Sequence, residues 1–159
     1  IGQGSTFTFI IPALAHAAPP PFDKQKSGVL YGEGEAILLV EDNEAARGAI
    51  QEALQLLNYT VLTAANGREA LDILQQPDNA IALILSDVVM PEMGGIALIK
   101  ALQRQDIETP VVLMTGHPIN GQLKTLQTHR PISQLMKPLD MDELAEVLSQ
   151  ALNDSPMKK

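Results

Sequence analysis

Along the chain, five short apolar runs alternate with longer stretches in which apolar residues recur at helical spacing. The runs are Ala36 to Val40, Thr60 to Ala64, Ile81 to Leu85, Val111 to Met114 and Ile132 to Met136. Each is too short for a helix and mostly lacks a polar face, the pattern of strands buried on both sides of a parallel sheet. Between them, Ile50, Ala53, Leu54 and Leu57 fall at i, i+3, i+4 and i+7, as do Leu144, Val147, Leu148 and Ala151. Each set builds one apolar helix face. Asn66 with Glu69, and Asp140 with Glu143, have the spacing of capping boxes, which place a side-chain acceptor and a carboxylate at a helix start. The alternation predicts five strands and five helices, the helix after Pro118 being weakened by Gly121. Right-handed crossovers then favour a doubly wound α/β sandwich, with a parallel sheet and helices on both faces.

Ahead of Glu35 this pattern stops. Residues 13 to 34 hold the run Pro19-Pro20-Pro21, scattered charges, and Gly28, Gly32 and Gly34, which is linker chemistry without apolar periodicity. Phe7 to Ala18 is apolar, and Ala15-His16-Ala17 loosely mimics a signal-peptidase site. Yet no basic residue precedes Lys24 and Pro12 interrupts the stretch, so the charged start of a secretory signal is missing. Starting at Ile1, the chain reads as a piece of something longer. No uninterrupted apolar run reaches the roughly 18 residues of a membrane-spanning helix.

With 159 residues and 45% hydrophobic content, one domain with a real core is expected. A net charge of -8 argues against nucleic acid or an anionic membrane as the main partner, because phosphates would be repelled. A protein partner fits better. Having no cysteine excludes disulfides, thiol catalysis and cysteine-ligated zinc.

In open α/β sheets, sites form beyond the carboxyl ends of the strands. Strand one ends in Glu41-Asp42, strand three in Ser86-Asp87, strand four in Thr115-Gly116 and strand five in Lys137-Pro138. Three carboxylates, a hydroxyl and an ammonium therefore converge on one edge. Clustered carboxylates repel one another, so their pKa values rise or a cation neutralises them. Oxygen donors without His or Cys suggest Mg²⁺, which takes one or two carboxylates and keeps several waters. Glu41, Asp42 and Asp87 can supply that set. Asp87 can also act as nucleophile toward phosphorus if the incoming charge is offset, and Lys137 is placed to offset it. The Thr115 hydroxyl can donate to a further phosphoryl oxygen.

Each residue has a bland alternative. Glu41-Asp42 can cap the following helix, Thr115 can simply end a strand, and Lys137 can be a solvated charge. Asp87 can initiate a turn, since Pro91, Gly94 and Gly95 follow. What weighs against four coincidences is position, because four strand ends of the five carry the required groups.

ILLVEDN at the first strand, SDVVMPEMGG around Asp87, VVLMTG at strand four and LMKP at strand five, in that order, resemble the response-regulator receiver domains (CheY-like). The resemblance covers Glu35 to Leu152 and implies a flavodoxin-like fold of strand order 2-1-3-4-5. It further implies that Glu41 and Asp42 are the acidic pair, Asp87 the phosphoacceptor, Thr115 the hydroxyl switch and Lys137 the invariant lysine. Mg²⁺ would be held by Glu41, Asp42, Asp87 and the main-chain carbonyl of Val89. Pro138 resembles the family's cis proline. Gln134 stands where the family usually carries Tyr or Phe, so the aromatic half of the usual switch is missing. Val89 and His117 occupy positions that tune attacking water in the family. Val89 cannot position a water, which points to a longer-lived phosphoryl group, and His117 reads as an exposed loop histidine.

Gly2-Gln3-Gly4-Ser5-Thr6 resembles the last glycine box of a histidine-kinase ATP-binding domain, and Phe7 to Pro12 its terminal strand. This implies a hybrid sensor histidine kinase as parent: residues 1–12 a kinase remnant, 13–34 a linker, 35–152 the receiver and 153–159 a tail. Without the kinase core, the piece supports only its own phosphoryl transfer and slow aspartyl-phosphate hydrolysis. The implied partners are the phosphohistidine domain of the parent kinase and a histidine phosphotransfer protein, and the implied location is cytoplasmic even where the parent is membrane-anchored. Two other readings compete: a receiver-shaped interaction module independent of phosphate, favoured only by Gln134, and an Mg²⁺-dependent phosphohydrolase, for which nothing resembles the extra acid and cap.

Overall fold

Parallel pairing of the apolar runs builds the centre of the molecule. The structure is a computed structural model in which residues 30–76, 79–119 and 132–154 are described. Its strands are β1 (Ala36–Val40), β2 (Thr60–Ala64), β3 (Ile81–Asp87), β4 (Val111–Thr115) and β5 (Ile132–Met136). They form one sheet of order β2-β1-β3-β4-β5, every neighbouring pair parallel. The helices among the described residues are α1 (Glu44–Leu56), α2 (Gly67–Leu74), α3 (Gly95–Arg104) and α4 (Met141–Asn153). The helix expected after Pro118 falls at 120–131, outside the described residues. The doubly wound α/β class and the flavodoxin-like strand order are as expected.

Because successive strand residues point to opposite faces, a strand buried on both sides feeds two cores. Along β1, Ile37 and Leu39 join α1 and α4 through Leu54, Leu144 and Leu148. Leu38 and Val40 join α2 and α3 through Ala70, Leu98, Ile99 and Leu102. All four β1 residues are fully buried. Burying such a side chain stabilises by roughly 1.5–3 kcal/mol, so truncating Ile37, Leu38 or Leu39 singly to Ala would cost about 2–5 kcal/mol once the cavity is counted.

Two strands run further than their apolar residues suggest. β3 continues through Ser86 and Asp87, which pair with Leu113 and Met114 of β4, and β4 includes Thr115, paired with Met136. The ladder is a backbone property, so polar side chains do not end it. Both expected N-caps form, Asn66 accepting from the Arg68 and Glu69 amides and Asp140 from those of Asp142 and Glu143, while the Glu69 carboxylate accepts from the Ala65 amide at 2.7 Å rather than from that of the cap residue. Packing also extends ahead of Glu35. The Gly32 amide donates to the Leu57 carbonyl at 2.8 Å, Asn58 Nδ2 donates to the Gly32 carbonyl at 2.7 Å, and the Tyr59 ring lies where a side chain on residue 32 would stand. Among the described residues no helix is long and apolar enough to cross a membrane.

Candidate functional site

Four parallel strands deliver their carboxyl ends to one edge. β1 hands over to Glu41, which is 2% exposed, and Asp42, which is exposed. Asp87 closes β3, Thr115 closes β4, and Lys137 directly follows β5 and is joined to Pro138 by a cis bond. The Lys137 ammonium donates to Glu41 Oε2 and to Asp87 Oδ2, both at 2.9 Å. It thus ties β1, β3 and β5 together. Burial by itself would lower the Lys137 pKa, but the hydrogen bonds to Glu41 and Asp87 and their charges outweigh it and hold the ammonium above the usual lysine value.

The loop between β3 and α3 is shaped around Asp87. Asp87 Oδ1 accepts from the Val88 amide at 2.7 Å, and Ser86 Oγ donates to the Asp87 carbonyl at 2.9 Å. Gly95 is required by close approach, since a Cβ there would sit 2.6 Å from the Asp87 carbonyl oxygen. Val89 lies in this loop, 80% exposed.

Carboxylate oxygens of Glu41, Asp42 and Asp87 lie within 4.8 Å of one another. The donor set is all oxygen, partly buried and close enough to share one small cation, which matches the preferences of Mg²⁺. The cluster could bind a metal.

This geometry agrees with the comparisons. Residues 37–149 match the response regulator receiver domain. The chain belongs to that family. It is 31% identical to the sensor kinase CckA of Brucella abortus over 160 residues, covering 96% of this chain but 17% of the kinase. The receiver domain of hybrid histidine kinase CckA superposes with a TM-score of 0.60 at 34% identity, covering 74% of this chain and 98% of that one. The receiver domain of sensor histidine kinase PA1611 from Pseudomonas aeruginosa superposes with a TM-score of 0.65 at 27% identity, covering 76% of this chain and 99% of that one. That structure carries a magnesium ion coordinated in its active-site cleft.

Within this receiver, the β4 side of the edge is bonded differently from the β1 and β3 side. Thr115 Oγ1 does not bond Asp87. It donates to the His117 carbonyl at 2.7 Å and accepts from the His117 amide at 3.2 Å. Gln134 Oε1 accepts from the Ile119 amide at 3.4 Å. The residue in place of an aromatic therefore touches the backbone of the segment that follows Thr115. His117 is exposed.

Two features escaped the sequence reading. The cap of α1 is Asn43, whose side chain accepts from the Ala46 amide at 2.9 Å, so Glu41 and Asp42 are not spent on capping. Arg47, one turn into α1, donates from Nη1 to the Glu41 carbonyl at 2.7 Å and the Asp42 carbonyl at 3.3 Å. The available signal was a basic residue four positions after the cap, where the helix places it back over its own entry loop.

Proposed function

We propose that this receiver takes a phosphoryl group from a kinase phosphohistidine onto Asp87 and relays it to a histidine phosphotransfer protein. The observation that carries this reading is the Lys137 ammonium, 2.9 Å from both Asp87 and Glu41 and beside a three-carboxylate cluster. An Asp87 oxygen attacks phosphorus, the bond from phosphorus to the histidine nitrogen breaks, and that nitrogen leaves with the electron pair and takes up a proton. Lys137 stabilises the charge gathering on the phosphoryl oxygens. Glu41, Asp42, Asp87 and the Val89 carbonyl would hold Mg²⁺, which when bound offsets repulsion between the carboxylates and the incoming phosphoryl group. Thr115 would turn from His117 to donate to a phosphoryl oxygen. The transfer is then mostly positioning and charge stabilisation.

A groove of about 320 Å³ beside Lys137, lined by Ala46, Ile50, Ala53, Leu139 and Leu144, offers an apolar seat for a phosphohistidine-bearing helix. The likeness to a sensor kinase over 96% of the chain supports a hybrid kinase parent. In this reading residues 1–12 are a kinase remnant, 13–34 a linker, 35–152 the receiver and 153–159 a tail, and the receiver works in the cytoplasm.

Intact-mass spectrometry after incubation with Mg²⁺ and acetyl phosphate tests the reading. The wild-type chain gains one phosphoryl group, and Asp87→Asn gains none. A wild type that takes up nothing while remaining folded would instead support the phosphate-independent interaction module.

A further inference from the structure

Glu41 and Asp42 are consecutive residues at the point where the chain leaves β1 and enters α1. Their carboxylates aim correctly only if the peptide planes joining Glu41 to Asp42 and Asp42 to Asn43 are fixed. Glu41 is held from several sides: its amide donates to the Ala64 carbonyl at 3.1 Å, and its carboxylate accepts from Lys137 and from the Asn43 amide at 3.4 Å. Those contacts fix one end of the turn. The carbonyls of Glu41 and Asp42 lie past the end of the β1 ladder, and both accept from the single Nη1 of Arg47. A planar guanidinium on a helix is a stiff donor. The Arg47 amide is itself bonded to the Asn43 carbonyl at 2.8 Å, so the donor rises from the first turn of the helix that the loop feeds.

We infer that Arg47 is a positioning residue for the divalent-cation site, fixing the backbone that carries the two neighbouring carboxylates. This rests on the reading that Glu41, Asp42 and Asp87 hold Mg²⁺. Two roles for Arg47 predict opposite signs. If its positive charge near the acidic cluster were what mattered, repulsion of a divalent cation would dominate and removing the charge would tighten Mg²⁺ binding. If fixing the carbonyls matters, removing the guanidinium loosens the carboxylates and weakens binding, as loss of outer partners does at other metal sites, by about 10-fold to 100-fold.

The test is calorimetric titration of Mg²⁺ into the 159-residue chain, without phosphoryl donor, for wild type, Arg47→Met, Arg47→Lys and Asp42→Asn. Arg47→Met should raise the Kd about 10-fold. Arg47→Lys, which keeps the charge but replaces the rigid guanidinium with a shorter, freely rotating ammonium, should also bind more weakly than wild type. Amide hydrogen exchange in metal-free Arg47→Met should quicken at Asp42 and Asn43 while β1 stays protected. A role in overall stability alone would lower Tm but leave the Kd of the folded protein unchanged, and that result overturns the inference, as does tighter binding by Arg47→Met or wild-type affinity in Arg47→Lys. If the wild type binds no Mg²⁺, or Asp42→Asn binds as well as wild type, the metal reading itself fails and the inference falls with it.

Discussion

At the carboxyl edge of the sheet, Lys137 reaches carboxylates 96 and 50 positions earlier in the chain, whereas the Thr115 hydroxyl bonds a residue two positions on. The first arrangement exists only once β1, β3 and β5 are side by side. The second is local, neutral, and shared with a Gln134 bond to Ile119 at 3.4 Å. A neutral hydrogen bond contributes about 1 kcal/mol net and is readily exchanged for another, while charges drawn together in a partly buried edge are costly to separate. The contrast assigns the two halves different work: the ionic half fixes Asp87, the acceptor in the proposed function, and the β4 half can rearrange at small cost. That division suits a receiver in which Gln134 replaces the usual ring, because a response near Thr115 needs only the remaking of such bonds.

The largest expected effect lies in the ionic half. Lys137→Met should slow phosphoryl uptake from acetyl phosphate by about 100-fold to 1,000-fold, read from time courses of intact mass. About a third of the Lys137 side chain is exposed, but the Glu41 side chain is only 3% exposed, so removing the ammonium leaves a buried carboxylate without its cation and Tm should fall as well. A comparable slowing in Gln134→Leu would break the comparison.

Packing gives the next effect. Gly95→Ala places a Cβ 2.6 Å from the Asp87 carbonyl and 2.7 Å from Leu113 Cδ2, so it should cost about 1–3 kcal/mol in urea unfolding. On the β4 side, a Cβ at Gly116 meets nothing within 4 Å, and Gly116→Ala should stay within about 0.5 kcal/mol of wild type. Equal costs at both glycines would show the two halves to be equally constrained.

Gln134→Leu should cost about 1 kcal/mol or less, move the Ile119 amide resonance, and leave the uptake rate unchanged. An unmoved Ile119 resonance would remove Gln134 from the β4 half.

The smallest effect belongs to the opposite end of the molecule and serves as a control. Burial first, and then the charge of Glu35, pushes the Tyr59 hydroxyl up to about 12. Since the folded pKa lies above the unfolded one, this contribution to stability is complete below about pH 10 and fades as pH rises toward 12. Tyr59→Phe should flatten that part of the pH profile of Tm without changing Mg²⁺ binding.

The sheet and the clustering of Glu41, Asp42, Asp87 and Lys137 could be read from the chain because buried parallel strands are contiguous apolar runs and the polar residues that end them gather at one edge. Leu38 and Val40 needed no periodicity to be placed in a core. What stayed hidden depends on side-chain reach and loop path. Glu41, Asp42 and Asn43 are three consecutive acceptors, any of which can cap α1, and only the observed Asn43 bond to Ala46 frees the carboxylates. Arg47 has several rotatable bonds, and its two carbonyl partners follow from the path of the loop rather than from spacing. The pairing of Thr115 with His117 likewise depends on a turn that Gly116, the one residue between them, does not specify.

The central claim concerns one side chain, and chemical mapping of the acceptor tests it directly. After incubation with Mg²⁺ and acetyl phosphate, borohydride reduction converts an aspartyl phosphate to homoserine, which peptide mass spectrometry can locate. The account predicts homoserine at residue 87 alone, lost when Mg²⁺ is chelated before the donor is added. Homoserine at Asp42 or another acidic residue, or reduction at Asp87 undiminished by chelation, would contradict it.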